Sequence, residues 1–190
     1  MSYPTDPEFT AINVRSEHTN VRSETKSGRT IVRGLGAQRW SFTAKYDDLT
    51  RAQFAPVFGF IMATKGGVSS FSIVPPVISS SQNTISGTPA VNGAHSAGDN
   101  TIQVDSFTGT LKTGDFIKFA NHNKVYMLVA DRSGVGEMTI EPALIQDVPN
   151  NNSITVTNVP FTMRLNNDIQ QYQLSGFDRY QYQIDLIEVI

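Results

Sequence analysis

The three histidines, His18, His95 and His122, come first in a search for chemistry, because imidazole is the side chain that most readily serves as base or metal ligand near neutral pH. No two stand at the i, i+4 spacing that would put both on one helical face, and none lies near a serine nucleophile motif. His122 falls in Ala120-Asn121-His122-Asn123-Lys124, where its type suits a turn with unusual backbone angles. The 17 carboxylates make close pairs inevitable. Asp47-Asp48 precede a predicted helix, where the macrodipole favours negative charge, and that role accounts for them. Asp99, Asp105, Asp115 and Asp131 fit no D-x-D-x-D-G loop, so no calcium site is expected. The phosphate-binding pattern G-x-x-x-x-G-K-[ST] is missing, and Gly34-Leu35-Gly36 lacks the third glycine and the βαβ setting of a dinucleotide fingerprint. The absence of cysteine removes the thiolate nucleophile, the thiolate zinc site and the disulfide scaffold together. These residues predict no catalytic group, no cofactor and no metal. A hydrolase with carboxylates scattered through the sequence is the one enzymatic reading they leave, since such pairs carry no local signature.

Arg15, Arg22, Arg29 and Arg33 lie on neighbouring predicted strands, with Trp40 not far along the chain. Such a set could track a nucleic-acid backbone, but Glu17 and Glu24 dilute it, and a solvated or inter-subunit face is the simpler reading. Net charge is −2, so no global field draws nucleic acid or anionic lipid. The charge is uneven, +3 over residues 1–65 and −5 over residues 66–190, a dipole that would let copies meet positive face to negative face.

The elements that hold these residues are mostly strands. Charged residues make up 17% of the 190-residue chain and neutral polar ones are abundant, a balance that suits strands and turns better than solvated helices. Trp40, Phe42, Ala44 and Tyr46 alternate with Arg39, Ser41, Thr43 and Lys45, the period of a sheet with one wet face. Thr50-Arg51-Ala52-Gln53 has the form of a capping box, and Phe54, Val57, Phe58 and Ile61 follow at helical spacing. This predicts one helix over about 50–65, kinked at Pro56 or starting properly near Ala55, and ended by Gly66-Gly67. Residues 79–83 and 87–89 are polar and turn-rich, as in a linker. Short strands then recur at 101–104, 115–119, 124–130, 137–141 and 153–157, as in a small barrel or sandwich. In the closing strand Tyr180, Tyr182, Ile184 and Leu186 alternate with polar residues until Ile187 and Val189 make the other face apolar too.

The predicted fold is therefore mainly β, all-β to α+β: a β-sandwich or split β-barrel with one α-helix. Residues 1–78 and 158–190 are expected to form this domain, interrupted by a small inserted β-barrel over 84–157. No signal peptide or membrane span is apparent, which predicts a chain made in the cytoplasm without a membrane anchor.

Several segments, taken in order, resemble one family: QRWSFTAKY at 38–46, LTRAQFAPVFGF at 49–60, FSIVPP at 71–76, GTPAVNGA at 87–94, LKTGDFIKF at 111–119, KVYM at 124–127, TIEPAL at 139–144, VPF at 159–161 and DLIEVI at 185–190. They are similar to tail-tip structural proteins of tailed bacteriophages, of the distal tail or minor tail protein kind. The resemblance implies a ring, commonly of six copies, at the far end of the tail tube. It also implies tube, hub and tape-measure proteins as partners, a place in the virion tail after assembly in the host cytoplasm, and nucleic acid at most in passage through the lumen. A baseplate or short-tail nozzle is a variant, and a carbohydrate- or receptor-binding module of such an assembly is the alternative function. No site residue transfers from the family. The residues expected to line or join subunits are Arg22, Arg33, Phe54, Phe58, Tyr182, Ile184 and Leu186.

Overall fold

A computed structural model describes residues 1–36 and 38–190, and within them the chain forms 16 strands, one α-helix and one short 3₁₀ turn. β1 (Ala11–Glu17) and β2 (Asn20–Glu24) run outward, and β3 (Thr30–Gly34) and β4 (Arg39–Leu49) run back, giving one long ribbon in two halves. The inner half pairs β1 with β4, from Ala11 opposite Lys45 to Glu17 opposite Arg39. The outer half pairs β2 with β3, from Asn20 opposite Gly34 to Glu24 opposite Thr30.

β4 shows why alternation is a good guide to a strand. Trp40, Phe42, Ala44 and Tyr46 are buried in the core as the spacing predicts. The face expected to be wet is partly roofed: Ser41 and Thr43 are buried as well, because Ser41 Oγ donates to Glu17 Oε1 at 2.6 Å and Thr43 Oγ1 to Asp185 Oδ1 at 2.7 Å. α1 (Arg51–Ala63) begins where the capping pattern puts it, with Gln53 Oε1 accepting from the Thr50 N–H at 3.0 Å and from the Thr50 hydroxyl at 3.0 Å. A start near Ala55 is not seen. The helix runs through Pro56, which costs it one backbone hydrogen bond, and the burial of Phe54, Val57 and Ile61 on one face holds it in place. The left-handed stop falls on Lys65 and Gly66, at φ of 54° and 70°. A side chain at Gly66 would bring its Cβ to 2.8 Å from Asp168 Oδ1.

Next come β5 (Phe71–Ile73) and β6 (Ser86–Val91). The segment Gly87-Thr88-Pro89, expected as linker, lies inside β6. Pro89 is tolerated there because the pairing with the next strand shifts register between Gly87 and Ala90, so its missing N–H falls at an irregularity of the ladder. Gly87 has φ of 91°, and a Cβ on it would sit 2.5 Å from Ser106 O. The following strands are β7 (Thr101–Thr108), β8 (Thr110–Leu111), β9 (Phe116–Phe119), β10 (Val125–Leu128), β11 (Arg132–Ser133), β12 (Gly136–Glu141) and β13 (Ile154–Thr155). The chain then returns to the first sheet with β14 (Phe161–Leu165), β15 (Tyr172–Ser175) and β16 (Arg179–Glu188).

The strands order into a sheet β1-β4-β16-β14-β5, with β15 beside the start of β16, and a second sheet β13-β9-β10-β12-β7-β6. The second sheet curls into a nearly closed barrel: its end strands meet through the Ala90–Ser153 bridge, and Val91 N donates to Asn152 O at 2.9 Å. Each sheet has its own apolar cluster. Phe42, Tyr46, Val57, Phe161, Ile184 and Leu186 centre the sheet lobe, and Ile102, Phe119, Tyr126, Leu128 and Ile140 the barrel lobe. Phe116 and Val125 of the barrel strands belong to the first cluster, which ties the lobes together. No helix among the described residues is long and apolar enough to cross a membrane.

Candidate functional site

Among the described residues no group of three or more His, Asp or Glu side chains is placed to hold a metal ion. Of the residues expected at a subunit interface, Tyr182, Ile184 and Leu186 point into the chain's own core and are all but inaccessible. Phe54 is buried as well, its ring 4.7 Å from Tyr180 and 5.2 Å from Phe58. Phe58 is half-buried against Tyr172 at 5.2 Å and Tyr182 at 5.9 Å. These five side chains fasten α1 and β16 within one copy. Their alternating apolar pattern marks burial, and it is the same whether a chain's own core or a partner does the burying.

Arg22 and Arg33 are placed differently. Both stand on the outer ribbon half, where every residue of β2 and β3 is exposed. The register puts Val21, Ser23, Ile31 and Arg33 on one face and Arg22, Glu24, Thr30 and Val32 on the other, with Leu35 following beyond Gly34. Val21, Ile31, Val32 and Leu35 are each more than half exposed. Five residues of strand project about 17 Å, and an isolated two-stranded ribbon is marginal in water.

At the base of the ribbon, where the two lobes meet, lies an apolar cleft of about 500 Å³ lined by Val14, Trp40, Ile78, Phe116, Met127 and Val129, with Gln38 and Glu141 among its polar residues. Its floor is locked by a buried polar cluster. Glu188 Oε1 accepts from the Val125 N–H at 2.8 Å, and Oε2 accepts from the Trp40 N–H at 3.1 Å and from Lys124 Nζ at 2.5 Å. Lys124 also donates to Gln38 Oε1 at 2.6 Å and lies 5.7 Å from the Trp40 ring, while the indole N–H donates to Val125 O at 2.8 Å. Both charged side chains are fully buried, and burial pulls the Lys124 ammonium below its usual pKa while Glu188 opposes that shift. The sequence carried a signal for this cluster. Glu188 continues the core-facing positions of Tyr182, Ile184 and Leu186, and a carboxylate in such a register needs a buried partner.

His122 is buried beside Tyr126, with Nδ1 2.7 Å from the Tyr126 hydroxyl. His122 does close a turn, its N–H donating to Phe119 O at 3.0 Å, but its backbone takes no left-handed angle and its side chain lies in the core. Nε2 is buried with no hydrogen-bond partner among the described residues, and burial lowers the imidazole pKa, opposed by the backbone of Asp147 and Gln146. On the far side of the sheet lobe a polar concavity of about 820 Å³ is lined by Lys45, Asp47, Gln173, Gln183 and Asp185, among others. The Tyr172 ring at its margin packs against Phe54 and Phe58.

No protein-family model matches the chain, and no curated protein is significantly similar to it.

Proposed function

We propose that the chain is a structural subunit of a bacteriophage tail tip or baseplate, forming a ring at the distal end of the tail tube and joining the tube to hub or receptor-binding proteins. The observation that carries this reading is the β2–β3 ribbon, exposed on both faces, bearing the large apolar side chains Val21, Ile31 and Val32 with Leu35 just beyond, and joining neither apolar cluster of the described residues. A chain that gains nothing from such an arm as a monomer gains an interface from it in an assembly. Two further features support it. β15 is exposed at all four of its residues on the margin of the sheet, an edge that pairing with a neighbour would cover. Phe177, fully exposed in the turn between β15 and β16, lies at the end of the sheet opposite the ribbon. Six copies is the number the family resemblance suggests, with the barrel lobe facing other tip proteins or the host.

The test is light scattering and negative-stain imaging of the purified chain across concentration, with and without the matching tube or hub protein. Rings or stacks are expected. A strictly monomeric particle under every condition overturns the reading.

A further inference from the structure

We propose that the β2–β3 ribbon of one copy docks into the apolar cleft between the sheet and barrel lobes of the next. The inference rests on the ring reading and names the two surfaces that would make the ring.

The two surfaces match in chemistry. The ribbon presents Val21, Ile31 and Leu35, all exposed, and the cleft offers Val14, Trp40, Phe116, Met127 and Val129 with little polar surface among them. Val129 is itself 47% exposed, so the cleft is open to a partner. They also match in charge. Residues 20–35 carry Arg22, Lys26, Arg29 and Arg33 against Glu24, a net +3. The barrel segment 84–157 carries seven acidic and four basic residues, a net −3. Arg33 shares a ribbon face with Val21 and Ile31, and Glu141 is an exposed carboxylate of the cleft lining. Such an arrangement sets the direction of approach and the register of an apolar contact.

The geometry also says what kind of assembly follows. Ribbon and cleft are different surfaces of the same molecule, so the contact is head-to-tail: each copy gives its ribbon to one neighbour and receives another's, which closes into a ring or runs on as a filament. A second copy is the occupant because both the apolar face and the opposite charge are supplied by this chain. The docked ribbon would exchange exposed strand faces for a packed surface, removing the instability of a free two-stranded arm.

The chain has no native cysteine, so the test can be covalent. Ile31→Cys and Val129→Cys are made separately, on exposed side chains, and mixed under mild oxidation. A heterodisulfide is expected in the mixture, with weaker or no cross-linking in either variant alone. Arg33→Glu should lower the cross-link yield about tenfold, and Glu141→Lys in the partner should restore it. The single tryptophan, Trp40, supplies a second readout, since its emission should shift as the cleft fills. Rings without the heterodisulfide would overturn the docking while leaving the ring reading intact. Neither rings nor cross-link would overturn both.

Discussion

Leu186 and Ile184 distinguish a core residue from an interface residue, because both are buried within a single copy. Leu186→Ala should destabilise the isolated chain by about 2–5 kcal/mol, the usual cost of an underfilled core site, whatever the state of assembly. A denaturant midpoint measured at monomeric concentration tests this, and an unchanged midpoint would return the side chain to the interface. His122 supports a second residue-scale prediction, in pH. Burial lowers its pKa, so the fold favours neutral imidazole, while the unfolded chain takes up a proton near the ordinary value of 6.5. The stabilisation is present above that value and is lost as pH falls from it toward the lowered folded pKa, with a slope of at most about 1.4 kcal/mol per pH unit for one proton. His122→Asn should flatten the urea midpoint across pH 5–7; a slope equal to that of the unchanged chain would assign the dependence to other groups.

At the scale of elements, β4 and α1 were legible because their patterns are local: period-2 alternation from Trp40 to Tyr46, and a Thr50–Gln53 start ahead of an apolar stripe. β6 was not, since Gly87 and Pro89 are turn residues by type and only the irregular pairing with β7 lets them lie in a strand. Of the buried cluster only Glu188 was marked, by its core-facing register, and its partner was not. Glu188 and Lys124 are 64 residues apart, and nothing local announces that the end of β16 meets the start of β10. That junction gives a testable consequence. Glu188→Gln keeps an acceptor for the Trp40 and Val125 N–H groups but leaves the Lys124 cation buried without its counter-charge. The expected loss is about 3–5 kcal/mol, read from Trp40 fluorescence during denaturation, with the inter-lobe contact failing first. A loss under about 1 kcal/mol would mean that the lobes are held by apolar packing alone.

At the scale of the whole molecule, stability and assembly are carried by separate parts. The apolar clusters of the two lobes include no residue of β2 or β3, so the outer ribbon adds little to the folding of one copy. Its strand pairing nevertheless continues the long ribbon from β1 and β4, and Leu35 N donates to Thr19 O at 3.0 Å just before the outer half begins. The ribbon can therefore be closed early. Replacing residues 20–34 with a two-residue Asn-Gly turn, which fits the twist of a tight hairpin, should leave the thermal midpoint of the monomer within about 2 °C. The same change removes the exposed Val21, Ile31 and Val32, along with Arg22, Lys26, Arg29 and Arg33, and should abolish self-association in light scattering. Full-sized rings from the shortened chain would show that the sheet edges at β1 and β15 suffice for assembly and that the ribbon serves another partner. A collapse in monomer stability would show that the ribbon packs on its own lobes, contrary to the exposure of all its strand residues.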